Sequence, residues 1–164
     1  AVAEELMEDT KQEKMMLNGY IPLPKIIYPS DVIAADDMDN PKVKKVIDLT
    51  NGDVDERKKS WMYLDIGPKT QRLFRDIILE AQTIFWNGPM GVFEQKDFEE
   101  GTKAVATAVA KSSAETILGG GDTISAIHHL GLENRYDYLS AAGGASLEFL
   151  GKKSLPGLEP LMEK

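Results

Sequence analysis

Thr116-Ile117-Leu118-Gly119-Gly120-Gly121-Asp122-Thr123-Ile124-Ser125 is the stretch on which the rest of the chain turns. Ile117-Leu118 is an apolar run short enough for a buried parallel strand. Three glycines follow, then Asp122 and Thr123, both good helix N-cap residues, and an amphipathic run through His129. The pattern predicts strand, glycine turn, helix. Glycine lets a backbone approach a ligand closely. A helix start adds unpaired N–H groups and the positive end of the dipole, so the turn offers an anion site. Asp122 would compete with phosphate there unless a divalent cation bridges the two, as metals do in phosphoryl transfer. The stretch therefore reads as a site for the phosphates of a Mg²⁺-bound nucleotide. The same spacing also serves a plain capped turn with spare glycines.

The chain has 164 residues, enough for one domain with a core. Its net charge of −8 argues against a general nucleic-acid or membrane-surface role, and the longest basic run is Lys42-Val43-Lys44-Lys45. There is no cysteine, hence no disulfide framework and no thiolate chemistry. No apolar run approaches the roughly 18 residues of a membrane span. The N-terminus lacks the basic and apolar regions of a secretory signal, so a cytoplasmic location is expected. The chain lacks an initiator Met and starts inside an apparent helix, as a piece of a longer protein would.

Taken in order, residues 2–16 pattern as a helix ended by Asn18-Gly19. Lys25 to Tyr28 and Asp31 to Ala34 are short strand candidates. Asp36 to Pro41 is a surface loop, whose acids lack calcium-loop spacing. Val43 to Leu49 suits a strand, and Asn51-Gly52 a turn. Ser60 to Pro68 is a strand running into a loop. Pro68 then opens a helix through Gln82, with Leu73, Phe74, Ile77 and Ile78 on one stripe. Thr83 to Trp86 is a buried strand, Asn87 to Phe93 a glycine-proline loop, and Asp97 to Lys111 a helix. Tyr136 to Ser140 is the last strand, Ala142 to Ser146 its turn, and Leu147 to Leu150 a helix. Residues 152–164 read as an extended tail.

From residue 61 onward strands and helices alternate. That predicts an α/β fold, a parallel sheet with helices on both faces, and ligands beyond the carboxyl ends of the strands. Four glycine-bearing loops fall there: Asp65 to Pro68, Asn87 to Phe93, Gly119 to Thr123, and Ala142 to Ser146.

Trp86-Asn87-Gly88-Pro89-Met90-Gly91-Val92-Phe93-Glu94, then Gly119 to Thr123, then Gly143-Gly144-Ala145-Ser146-Leu147-Glu148 closely resemble the phosphoglycerate kinase family in order and spacing. Leu64-Asp65-Ile66-Gly67-Pro68 and Leu155-Pro156-Gly157 fit it too. The resemblance implies a Rossmann-like three-layer sandwich and an incomplete C-terminal domain, with residues 1–164 as a nucleotide-binding fragment. It implies Asn87 near the phosphates, Pro89 shaping the loop, Val92 lining the adenine pocket beside Tyr63 and Leu64, and Glu94 on the ribose hydroxyls. Gly120, Gly121 and Thr123 would hold phosphate, and Asp122 would face Mg²⁺. Gly121 and Gly144 would carry the catalytic helix starts, with Gly143 beside Gly144. Two positions depart from the family pattern. Tyr63 replaces a small residue, and Ala141-Ala142 replaces part of a Thr-Gly-Gly-Gly run.

The resemblance further implies phosphoryl transfer between 1,3-bisphosphoglycerate and MgADP, giving 3-phosphoglycerate and ATP, by a full-length monomer. The acidic substrate would bind an N-terminal domain that the 164 residues lack, leaving this chain inactive alone. A non-catalytic nucleotide-binding or structural module is the alternative. A generic dinucleotide-binding domain fits less well, because Gly119 to Thr123 lacks the G-x-G-x-x-G order. His128 and His129, late in a helix, are expected to be structural, and Trp61 and Trp86 to lie in the core.

Overall fold

A computed structural model describes residues 14–17, 21–24, 26–50, 60–152 and 154–162. Strands β1 (Lys14–Leu17) and β2 (Ile21–Pro24) pair antiparallel. Strands β3 (Asp31–Ala35), β4 (Lys44–Asp48) and β5 (Met62–Ile66) form an antiparallel sheet with β3 in the middle. Helix α1 (Pro68–Glu80) crosses to a second sheet, built from β6 (Thr83–Asn87), β7 (Glu115–Gly119) and β8 (Tyr138–Ser140). These three are parallel, with β7 central. Helices α2 (Glu100–Lys111) and α3 (Gly121–Leu130) supply its crossovers, and α4 (Gly143–Lys152) and the short α5 (Glu159–Met162) follow.

The core lies on one face of the parallel sheet. Trp86 and Leu118 point from neighbouring strands into it and meet Val105, Ala106 and Val109 of α2 and Ile127 of α3. Phe74 and Ile78 of α1 pack against the same cluster. The opposite face carries Phe85 and Ile117, which with α4 and the Leu155–Leu158 segment border a cavity of about 350 Å³. The chain is thus α/β with helices on both faces of a parallel sheet, as expected.

Two buried carboxylates of the antiparallel sheet tie it to the helices. Helix α1 starts with Pro68 at N1 and has no cap of its own. Asp31, 1% exposed, does that work from β3. It accepts the N–H groups of Lys69 (3.0 Å) and Thr70 (2.8 Å) and the Thr70 hydroxyl (2.7 Å). Burial opposes the charge on Asp31, but those donors outweigh it and hold the carboxyl below its usual range. Asp65 of β5 plays the same part for α2, accepting the Gly101 N–H at 2.7 Å.

Several boundaries differ from the sequence expectations. Of the helix expected over 2–16, residues 2–13 lie outside the described residues, as do Asn18-Gly19 and Asn51-Gly52, while Lys14–Leu17 is a strand. Ile26 to Tyr28 is not a strand; it leads into β3. Met62–Ile66, expected to open the parallel sheet, pairs antiparallel with β3 instead. The last strand begins at Tyr138, because Tyr136 turns inward and donates to the Ala106 carbonyl (3.1 Å). Asp137 meanwhile accepts the Thr116 N–H (2.8 Å). Helix α2 starts at Glu100, three residues late, and α4 at Gly143, four residues early. The tail is not wholly extended, since α5 forms within it.

Candidate functional site

The register of the parallel sheet brings Asn87, Gly119 and Ser140 side by side at its carboxyl end. The chain leaves β7 through Gly120, whose φ of 97° favours glycine, and starts α3 at once. It leaves β8 through Ala141-Ala142 and starts α4 at Gly143. The Gly120 N–H donates to the Ser140 carbonyl at 3.0 Å, joining the two turns. Gly143 sits directly on this junction: a Cβ there would lie 2.6 Å from the Gly120 Cα and 3.0 Å from the Asn87 Oδ1. Two helix N-termini consequently open on one cavity of about 270 Å³, bordered by Asn87, Gly88, Gly120, Gly121, Asp122, Thr123, Ala141, Gly143 and Gly144. Its first-turn N–H groups have no partners within their helices, and both dipoles point positive ends inward.

Gly121 and Gly144 are informative because the protein does not require them. A Cβ at either would meet nothing within 4 Å, and neither has a positive φ. Glycine there leaves space in the cavity rather than solving a packing problem. Asp122 is the carboxylate among the lining residues, and it is exposed in the first turn of α3. Among the described residues no three acidic or histidine side chains cluster as a metal cage. A lone carboxylate is a partial ligand set of the kind Mg²⁺ uses, since that ion keeps waters and completes its shell with phosphate oxygens.

Thr123, expected at the phosphates, borders the same cavity. It is fully buried, and its hydroxyl accepts the Gly88 N–H at 2.6 Å. This locks the Asn87–Phe93 loop onto α3. The loop is fixed elsewhere too. The Trp86 indole donates to the Gly88 carbonyl (2.7 Å), Met90 N–H to the Thr102 hydroxyl (3.1 Å), and Val92 N–H to the Leu64 carbonyl (2.9 Å). Such anchoring prearranges a site before anything binds.

Beyond Pro89 the loop borders a second cavity, of about 340 Å³, where Tyr63, Leu64, Pro89 and Val92 meet Pro29, Val32 and Asp65. Tyr63 is half exposed at its mouth. The expected residues therefore fall into two groups. Asn87, Gly120, Gly121, Asp122, Thr123 and Gly144 share the polar cavity, and Tyr63, Leu64, Pro89 and Val92 the less polar one. Glu94 is exposed and borders neither. Sequence reasoning missed Gly88, whose N–H carries the lock to Thr123, and Asp65, which borders the second cavity. A signal for Gly88 existed in the Asn-Gly-Pro triplet, and one for Asp65 in its place at the head of the Asp65 to Pro68 loop.

The family model for phosphoglycerate kinase matches residues 1–153. A phosphoglycerate kinase of Pseudothermotoga lettingae is 43% identical over 163 residues, spanning 99% of this chain and 38% of that protein. One from Thermosipho africanus is 47% identical over 143 residues, spanning 85% of this chain and 35% of that protein. The structure of phosphoglycerate kinase from Coxiella burnetii superposes with a TM-score of 0.78 at 37% identity, covering 98% of this chain and 38% of that one. The enzyme from Pyrococcus horikoshii gives 0.70 at 33%, covering 97% and 37%.

Proposed function

The chain belongs to the phosphoglycerate kinase family, and on that premise we propose that it is the nucleotide-binding, C-terminal part of such an enzyme. In this reading the polar cavity holds the phosphates of ADP or ATP, and the cavity of Tyr63, Leu64, Pro89 and Val92 takes the base. The observation that carries it is the pair of helix starts, α3 and α4, opening together on one cavity where Gly121 and Gly144 have no packing role of their own. The reaction is phosphoryl transfer between 1,3-bisphosphoglycerate and ADP, a step of glycolysis.

Such chemistry asks little covalent work of a protein. It asks for alignment and for stabilisation of charge on the equatorial oxygens of the moving group. N–H groups of Gly121 and Gly144, fixed in place before the reaction, supply that stabilisation without proton transfer. Mg²⁺, when bound, neutralises charge across the phosphate oxygens, and Asp122 is the residue that would hold it. Asn87, held by β6 beside Gly120, orients the phosphate chain.

The chain spans 38% of the Pseudothermotoga lettingae relative. The phosphoglycerate partner would bind the part of the enzyme outside these 164 residues, in a cytoplasmic monomer that binds no nucleic acid. Calorimetry of the chain with MgADP, and a coupled assay with and without a polypeptide carrying the rest of the family's fold, test the reading. MgADP should bind the chain, and turnover should need the complement. Robust turnover by the 164 residues alone would defeat the division of labour, and no heat from MgADP with or without the complement would defeat the nucleotide site.

A further inference from the structure

A groove of about 400 Å³ lies between α1 and α2, and the nucleotide reading does not use it. It shares no lining residue with either cavity described above. Arg72 and Arg75 line its α1 wall, and Lys103 and Lys111 its α2 wall. Glu100 is the acid among the lining residues. That balance runs against the chain as a whole, in which 27 acidic residues outnumber 19 Lys and Arg.

Helical spacing explains the walls. Arg72 and Arg75 are three residues apart, so they share a face. Lys103, Thr107 and Lys111 recur every four residues, making a row that extends about 12 Å along α2. Among the described residues two of the cations carry exposed ion pairs, Arg75 with the adjacent Asp76 (2.8 Å) and Lys103 with Glu100 (3.1 Å). Pairs of that kind contribute little and exchange readily. Arg72 and Lys111 have no acidic partner among the described residues. Self-repulsion among four cations in a groove is unfavourable unless an anion relieves it, and guanidinium forks on one wall match phosphate oxygens geometrically. Ala104 and the buried Ala108 add apolar surface to the lining, and low-dielectric surroundings strengthen such contacts.

We propose that the α1–α2 groove is a second anion site, binding a small, multiply charged phosphate compound that bridges Arg72 and Arg75 to Lys103 and Lys111. A volume of about 400 Å³ suits a small molecule better than a polymer, which would need a groove open along its length. The row on α2 is longer than one phosphate, so a chain of phosphates should bind far better than orthophosphate. The proposal does not depend on the nucleotide reading.

The test uses the 164-residue chain with inorganic tripolyphosphate in the presence of EDTA, which removes divalent metal. Backbone amide shifts in ¹⁵N-labelled protein should move along 68–79 and 100–111. Arg72→Glu/Lys111→Glu, both exposed, should fold normally by circular dichroism and bind tripolyphosphate at least tenfold more weakly. Orthophosphate should bind the wild-type chain at least tenfold more weakly than tripolyphosphate does. Shifts confined to 87–88, 120–123 and 141–144, with equal affinity in the double variant, would overturn the proposal. So would a single-stranded oligonucleotide or an acidic peptide that binds the groove more tightly than tripolyphosphate and loses affinity in the same variant.

Discussion

Gly143 and Gly144 are neighbours at the start of α4, yet alanine should act oppositely at the two. At Gly143 the new Cβ would stand 2.6 Å from the Gly120 Cα and 3.1 Å from the Gly120 nitrogen. Those atoms are backbone and cannot rotate away, so the two helix starts must separate. Overpacking of this kind costs about 1–3 kcal/mol. For a chain of this length each kcal/mol shifts Tm by about 2–4 °C, so Gly143→Ala should melt about 2–12 °C low. At Gly144 a Cβ meets nothing within 4 Å. Alanine there restricts the unfolded chain and suits the helix, which should stabilise by about 0.4–1 kcal/mol, or up to about 4 °C. Its methyl group, however, occupies the space in which phosphate oxygens would meet the α4 N–H groups. Losing one hydrogen bond to a charged oxygen costs about 1.5–3 kcal/mol, so MgADP should bind roughly 10- to 100-fold more weakly. Thermal melts and calorimetry on both variants make the comparison. If Gly144→Ala binds MgADP like the wild type, the open glycines are not kept for phosphate. If Gly143→Ala melts like the wild type, the close packing of the helix starts is wrong.

Asp122→Asn should weaken ADP binding with Mg²⁺ more than without it, as titrations under both conditions would reveal; equal losses would reduce Asp122 to a helix-start charge. Tyr63→Gly should leave tripolyphosphate binding at the glycine cavity unchanged while altering the preference between ATP and GTP, and a uniform response would remove Tyr63 from the base. Burial pushes the Asp65 carboxyl up to about 6, against the pull of the Gly101 and Ile66 N–H groups. A carboxyl raised in the folded state binds more protons there than in the unfolded chain. Its contribution is therefore complete below the ordinary value of 3.8 and is lost as pH climbs through about 6. At about 1.4 kcal/mol per pKa unit, up to about 3 kcal/mol should disappear over that window. Urea melts of wild type and Asp65→Asn across it should converge at low pH and diverge above pH 6, and parallel curves would refute the assignment. The edge of β6 presents an apolar groove of about 240 Å³ with Ile84, Phe85 and Trp86, so the chain alone should self-associate. Light scattering should detect this, and the complementary part of the family's fold should suppress it.

What the amino-acid sequence determined on its own is local. The Ile117–Thr123 stretch could be read as strand, turn and helix because apolar run, glycines and cap residues all act within one or two turns of chain. Pro68 marked the start of α1 for the same reason, and the motifs around Asn87, Gly120 and Gly144 pointed to one ligand. Where local signals were ambiguous the reading failed. Met15 and Met16 suit a helix stripe or a strand equally, and β1 is decided by its pairing with Ile21–Pro24. Only the tertiary structure could decide which sheet Met62–Ile66 joins, since hydrophobic alternation says that a strand is buried, not beside what. It alone set Asp31 under α1, Asp65 under α2 and the Thr123 hydroxyl on Gly88, contacts between residues 35 to 39 positions apart. It also gathered four cations from two helices into one groove, although the sequence contains no long basic run. Charges and hydrogen-bond donors meet through the packing of elements, and that packing is fixed by burial summed over the whole core, not by any segment that contributes to it.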